Sequence, residues 1–191
     1  MYKTFYKRIF DIILASVFLI ISVPILFIIF LILKLDSKES FLYWSKRVGK
    51  NKIIFYMPKI RTMKSDAPQI ATHLMNDPEL YLIPKGYFLR KTSLDELPQF
   101  WSILKGEMSF VGPRPALFNQ YDLIESRQKK GINQLPPGLT GWAQINGRDE
   151  LSISKKVTLE EFYLKRISFF FDLKIILKSF QIIFKDKDIS H

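Results

Sequence analysis

Ile12-Ile13-Leu14-Ala15-Ser16-Val17-Phe18-Leu19-Ile20-Ile21-Ser22-Val23-Pro24-Ile25-Leu26-Phe27-Ile28-Ile29-Phe30-Leu31-Ile32-Leu33 is a run of 22 residues without a charge, and its reading decides the architecture of the rest. About 20 consecutive apolar residues cross the ~30 Å hydrocarbon core of a bilayer as a helix, so length alone permits a crossing. The run is long for a cleaved signal peptide and no small-x-small site follows it. Two features oppose a simple crossing. Lys3, Lys7 and Arg8 precede it, and Lys34, Lys38, Lys46, Arg47, Lys50 and Lys52 follow it. Basic flanks favour the cytoplasmic side, and here both flanks are basic. Pro24 stands near the midpoint, where it removes a backbone donor and kinks a helix; Ser22 is placed to bond a freed carbonyl. Each half of a helix broken there is roughly 18 Å long, too short to cross alone. Ser22 and Pro24 are therefore expected to mark the break of a re-entrant membrane helix-break-helix over residues 1–36. A single kinked transmembrane helix is the alternative, and either one binds the chain to a membrane.

The 191 residues suffice for one domain with a sizeable core. A net charge of +11 points to a polyanionic partner: nucleic acid, an anionic membrane face or phosphate-bearing substrates. The long uncharged run and the lack of a recognised nucleic-acid motif count against nucleic acid. The chain has no Cys, which excludes disulfides, thiol chemistry and Cys-based metal sites. Many of its 17 Phe lie towards the two ends.

After the uncharged run, Phe41-Leu42-Tyr43-Trp44 and Ile53-Ile54-Phe55-Tyr56 flank the turn-like Gly49-Lys50-Asn51, a short antiparallel hairpin. Pro58-Lys59-Ile60-Arg61-Thr62-Met63 sets two cations beside an apolar strand. Residues 65–86 are polar and punctuated by Pro68, Pro78 and Pro84; His73 lies there with only His191 for company, little support for a histidine metal site or catalytic dyad.

Leu89-Arg90-Lys91-Thr92-Ser93-Leu94-Asp95-Glu96-Leu97-Pro98-Gln99-Phe100-Trp101 puts adjacent carboxylates after a cationic pair. Leu97, Phe100, Trp101 and Leu104 recur at i, i+3, i+4, i+7, an amphipathic helix stopped by Gly106. An acid in a first helical turn is held ionised, and an ionised carboxylate among cations serves as nucleophile, metal ligand or cap. Two N-terminal registers compete. With Ser93 as N-cap, Ser93 and Glu96 form a capping box; with Asp95 as N-cap, Pro98 falls in the first turn, where proline is tolerated. Pro98 favours the second, which makes a plain cap a strong rival to catalysis for Asp95.

Ser109-Phe110-Val111-Gly112-Pro113-Arg114-Pro115 presents Arg114 rigidly between prolines, suited to bidentate phosphate contact. Residues 117–130 read as a polar helix. Pro136-Pro137-Gly138-Leu139-Thr140-Gly141-Trp142-Ala143-Gln144-Ile145-Asn146-Gly147-Arg148 is a Gly-rich loop, a short strand and an Asn-Gly turn, with no Walker ending. Near the C-terminus Lys174, Lys178, Gln181 and Lys185 form one polar stripe on an otherwise apolar helix, which fits an amphipathic interfacial helix and equally a core helix. Asp186-Lys187-Asp188 is a nominal Asp-x-Asp metal motif in a chain end.

Together these stretches resemble the bacterial sugar transferase family, the monotopic polyprenyl-phosphate phosphoglycosyltransferases in their minimal catalytic form. The resemblance rests on Lys7-Arg8-Ile9-Phe10-Asp11, Ser22-Val23-Pro24, Arg47-Val48-Gly49, Lys59-Ile60-Arg61-Thr62-Met63, Leu94-Asp95-Glu96-Leu97-Pro98-Gln99, Leu104-Lys105-Gly106-Glu107-Met108-Ser109, Val111-Gly112-Pro113-Arg114-Pro115 and the stretch from Pro137 to Arg148, all in the family's order. The chain departs from the pattern at Pro136, where a basic residue is frequent, and at Ser45, where Gln is common.

The resemblance implies transfer of a sugar-1-phosphate from a UDP-sugar to undecaprenyl phosphate, with release of UMP, as the first membrane step of a surface glycan such as exopolysaccharide, capsule or O-antigen. It implies Asp95 as nucleophile forming a covalent aspartyl-phosphosugar, and Glu96 as a ligand of Mg²⁺. Lys59, Arg90 and Arg114 are then candidates for phosphate contacts, and Gln144 and Arg148 for the nucleotide side. The implied fold is α+β, mainly helical: a re-entrant membrane hairpin over 1–36, then a cytoplasmic catalytic domain over 37–191 with a membrane-associated C-terminal helix, on the cytoplasmic face of the anionic bacterial inner membrane. Nucleic acid is not an expected partner. The sugar, the pathway and the oligomeric state stay open, a homodimer included. The competing reading is a basic membrane-surface adaptor without chemistry.

Overall fold

The uncharged run lies within one helix, α1 (Lys7–Asp36), in the computed structural model, which describes residues 2–70, 75–147 and 150–185. Its buried residues are Lys7, Asp11, Ala15, Ser22, Ile29 and Leu33. At 100° per residue these fall within about 80° of one another, so α1 offers the rest of the protein a single stripe along its whole length. The remaining face carries exposed Val17, Ile20, Ile21, Val23, Phe27, Ile28 and Leu31. The expected division into two helices at Ser22 and Pro24 is corrected: the helical run passes through Pro24. The proline deletes one donor from the ladder, while the buried Ser22 turns its hydroxyl onto Leu19 O at 2.8 Å and the rest of the ladder continues.

Two cations of the basic N-terminal flank face protein. Lys7 is buried and its Nζ lies 2.7 Å from Asp172 Oδ2. Arg8 donates to Ile103 O and Leu104 O at 2.5 and 2.6 Å. A cation on the last carbonyls of a helix stabilises that end. At the other end of α1, Asp36 pairs with Lys85. Both ends of the apolar helix are thus bonded to the same body.

The hairpin forms as expected, with longer strands: β1 (Leu42–Val48) pairs antiparallel with β2 (Ile54–Ile60), from Leu42 opposite Ile60 to Val48 opposite Ile54. Asn51 and Lys52 take the left-handed conformation that turns the chain. β2 is an edge strand, which is why Pro58 is tolerated in it. Phe55 and Met57 pack on one side with Phe100 and Ile103. On the other side Ile60 packs with Ile29, Leu33, Ile83 and Leu89.

Two short helices follow, α2 (Gly86–Lys91) and α3 (Gln99–Lys105), the latter ended by left-handed Gly106. Next comes β3 (Ser109–Val111), and β4 (Ala116–Leu117) completes the three-stranded sheet beside β1. β3 pairs in parallel with β5 (Gly138–Thr140). A Cβ on Gly138 would lie 2.1 Å from Gly112 N, so this crossing exists only with glycine there. α4 (Tyr121–Lys129) and α5 (Ile153–Arg166) are joined by a buried two-bond ion pair between Arg127 and Glu160. α6 (Phe169–Lys185) buries Asp172 and Ile175 and leaves Phe170 and Leu177 exposed beside Lys174 and Lys178. Asp172 accepts from Tyr2, Lys7 and Tyr163 at 2.7–2.8 Å, tying α5, α6 and the start of α1 together.

Candidate active site

Four separate segments deliver charged side chains to one place. Lys59 lies on the face of β2 that carries Phe55 and Met57, and those two are buried against α3. Strand alternation therefore points the Lys59 ammonium at the N-terminal side of α3. There it meets the carboxylates, 2.8 Å from Glu96 Oε1 and 3.7 Å from Asp95 Oδ2. Arg114 Nη2 lies 3.6 Å from the same Glu96 oxygen. Arg90, one turn into α2 from Gly86, acts on Asp95 by charge and donates its Nε–H to Thr62 Oγ1 at 2.9 Å.

Asp95 and Glu96 do not cap α3. They sit in a separate 3-10 turn, Leu94–Glu96, entered through left-handed Ser93, and α3 starts only after Pro98. No side-chain cap bond forms at Ser93 or Pro98. Both proposed cap registers are thereby corrected. Pro98 cannot bond back into the preceding turn, so the chain tightens into a 3-10 turn first, and the carboxylates project from it with their oxygens free of backbone capping.

The neighbouring carboxylates differ electrostatically. Asp95 is 6% exposed, and burial pushes its carboxyl above the usual range. Lys59 counters this, Glu96 reinforces it, and Arg90 and Arg114 oppose it more weakly. Burial also pushes Glu96 up, but Lys59, Arg114 and Arg47 more than reverse it and hold the group at about 2. Glu96 is thus a permanent anion locked to cations, and Asp95 is the carboxylate with the longer contact and the higher proton affinity. Environments that drive paired carboxylates apart are typical of sites where the two have different tasks. Burial likewise pulls Arg90 below the usual arginine range.

Arg114 owes its place to the glycine crossing: Gly112 N donates to Thr140 O at 2.9 Å, and Gly138 N donates to Pro113 O at 2.8 Å. Arg47 braces the same turn from β1, donating to Pro115 O at 3.0 Å and to Ser45 Oγ at 2.9 Å. Gln144 is buried in the turn at residues 144–146 and its amide N and O have no hydrogen-bond partner among the described residues. It packs beneath this turn, since a Cβ on Gly141 would lie 2.6 Å from Gln144 Oε1 and 2.0 Å from Gly112 O. Lys59, Arg90, Arg114, Asp95 and Glu96 therefore lie together, and Gln144 lies beside Gly141, which packs on Gly112. Arg148, His73 and Asp186-Lys187-Asp188 lie outside the described residues. Thr62 and Arg47 are not singled out by sequence reasoning; each sits in a quoted motif, but nothing in residue type or spacing marks its partner.

Among the described residues no group of three or more His, Asp or Glu could hold a metal ion. Two adjacent carboxylates fit Mg²⁺ of the kind held by one or two protein carboxylates with phosphates completing the shell, and not an all-protein cage.

Comparison with known proteins gives the family. The model of the family described as bacterial sugar transferase matches residues 2–186. The uncharacterized sugar transferase EpsL of Bacillus subtilis (strain 168) is 42% identical over 172 residues, 89% of this chain and 83% of that protein. The exopolysaccharide production protein ExoY of Rhizobium meliloti (strain 1021) is 36% identical over 190 residues, 91% and 83% respectively. The UDP-glucose:undecaprenyl-phosphate glucose-1-phosphate transferase of Escherichia coli (strain K12) is 40% identical over 181 residues, 89% of this chain but 38% of that longer protein. A match that runs from before α1 to the end of α6 takes in the carboxylate turn and every segment that feeds it: the chain belongs to the bacterial sugar transferase family.

Proposed function

We propose that the protein is a polyprenyl-phosphate sugar-1-phosphate transferase that passes a sugar-1-phosphate from a UDP-sugar to undecaprenyl phosphate through Asp95. The observation that carries this reading is the asymmetry of the pair: Glu96 is neutralised by Lys59 and Arg114 while the buried Asp95 keeps the looser contact. An Asp95 carboxylate oxygen attacks the β-phosphorus, forming an Asp95–phosphorus bond as the bond to the bridging oxygen breaks and UMP leaves. An oxygen of undecaprenyl phosphate then attacks the same phosphorus and releases Asp95. Phosphoryl transfer of this kind is mostly positioning and cancellation of charge, and Lys59, Arg90 and Arg114 provide both. Glu96, with Asp95 beside it, is where Mg²⁺ would be held, and when bound the ion adds charge neutralisation on the diphosphate. The amide of Gln144, unpaired among the described residues, supports a nucleotide contact, since a buried unsatisfied amide costs about 1–3 kcal/mol until a ligand pairs with it.

The same reading places α1 in the cytoplasmic leaflet without crossing it. It is the one helix among the described residues long and apolar enough to cross. A crossing helix delivers its ends to opposite faces, whereas here Arg8 and Asp36 both bind the catalytic body. Residues 1–36 are then the membrane element and 37–191 the catalytic part, at a surface that soluble UDP-sugar and embedded lipid phosphate both reach. Exposed Phe170 and Leu177 beside Lys174 and Lys178 support an interfacial seat for α6.

The test is product analysis. Purified protein with Mg²⁺, a UDP-sugar and undecaprenyl phosphate is expected to release UMP, and Asp95→Asn is expected to release none; release of UDP would overturn the phosphosugar mechanism.

A further inference from the structure

Arg90 is one of three cations assigned to the phosphates, and an uncharged side chain holds its guanidinium by a hydrogen bond. Its partner, Thr62, is 6% exposed and is gripped at two atoms. Thr62 O accepts from Ile83 N at 3.1 Å, and Thr62 Oγ1 accepts the Arg90 Nε–H at 2.9 Å. Gly86 rests on the same residue: a Cβ there would lie 2.4 Å from Thr62 O. Gly86 and Arg90 are four apart on α2, hence on one face, so a single residue beyond the end of β2 meets α2 at both points. Leu89 and Ile83 close the apolar side of this joint with Ile60.

We propose that Thr62 is a positioning residue for the transfer reaction, its hydroxyl occupying the Nε edge of the Arg90 guanidinium and reserving the terminal nitrogens for phosphate. The proposal rests on the functional reading above and names a residue that reading does not use. A guanidinium presents five N–H groups in a rigid plane, so fixing one edge fixes the direction of the others. Without the Thr62 acceptor the Nε–H is left unsatisfied in a half-buried place, and the plane is free to rotate away from Asp95. The hydroxyl matters and the methyl does not, which separates this role from mere packing.

The test is a variant set on the full chain: Thr62→Val, Thr62→Ala, Thr62→Ser, Arg90→Ala and Thr62→Val with Arg90→Ala, assayed for UMP release. Misplacing a binding group by about 1 Å costs on the order of 10²-fold in rate. Thr62→Val and Thr62→Ala are expected to lose kcat/KM to about that extent, and Thr62→Ser to recover most of it. Thr62→Val is expected to add nothing in the Arg90→Ala background, because the two residues act as a unit. Additive losses, or Thr62→Ser as impaired as Thr62→Val, would overturn the proposal. A readout independent of turnover is the ¹⁵N-arginine spectrum. A slowly exchanging Nε–H signal, assigned by its loss in Arg90→Ala, is expected in the wild type and Thr62→Ser and absent in Thr62→Val and Thr62→Ala; its persistence in these last two refutes the assignment. A wild type that releases no UMP overturns the functional reading instead, and the spectrum still decides the role of Thr62.

Discussion

Asp95 and Glu96 are covalent neighbours, and their difference comes from which oxygen the cations reach. Lys59 donates to Glu96 at 2.8 Å and stands 3.7 Å from Asp95. A nucleophile must be ionised, and burial sets Asp95 above the ordinary aspartate range. Turnover is therefore expected to rise with pH through the Asp95 value, whereas Glu96, held at about 2, stays charged throughout and contributes nothing to that limb. Lys59 is the strongest influence lowering Asp95. Lys59→Met removes it, so the acid limb of the kcat profile is expected to move to higher pH; an unmoved limb means that Asp95 is not the titrating group. At this scale the sequence was partly legible. The carboxylate pair, Lys59, Arg90 and Arg114 stand out by charge and by prolines. Thr62 and Arg47 do not, because their roles depend on partners 28 and 68 positions away.

The elements that carry these residues are short, and their joints are backbone-to-backbone. Gly86 starts α2 against Thr62 O, where a Cβ would lie 2.4 Å from that oxygen. Gly86→Ala is expected to shift α2 away from β2, with a loss of about 1–3 kcal/mol in unfolding free energy and a larger proportional loss of turnover, since Arg90 moves with the helix. Equal turnover per folded molecule would show that the joint does not set Arg90. The hairpin and α3 were readable because each follows one local rule: alternation around an Asn-bearing turn, and an i, i+3, i+4, i+7 stripe ended by glycine. The β3–β5 pair was not, because its strands have three residues each and their pairing depends on Gly138 meeting Gly112. The cap registers failed for a related reason: Pro98 excludes a continuous first turn, and helix periodicity does not specify the 3-10 turn that replaces it.

The whole molecule is a catalytic body laid along one stripe of an apolar helix. Lys7 and Arg8 stand in the basic flank before the uncharged run, and Lys7 pairs with Asp172, 165 positions away, while Arg8 binds the end of α3, the helix next to the carboxylate turn. No local pattern announces such contacts. The outcome is that α1 is bonded at both ends to the body that carries the site, with an exposed apolar face along its remainder. The chain has no cysteine, so Lys3→Cys and Lys38→Cys each give a single handle. Both are expected to react with an impermeant thiol reagent from the cytoplasmic face; labelling from opposite faces would restore a transmembrane α1. The central claim is chemical, and its most direct measurement is intact and peptide mass of the protein after incubation with a UDP-sugar and no undecaprenyl phosphate. The expected result is a sugar-phosphate adduct on the peptide containing Asp95, equimolar UMP, and loss of both in Asp95→Asn. An adduct on another residue, or one that survives Asp95→Asn, would contradict it.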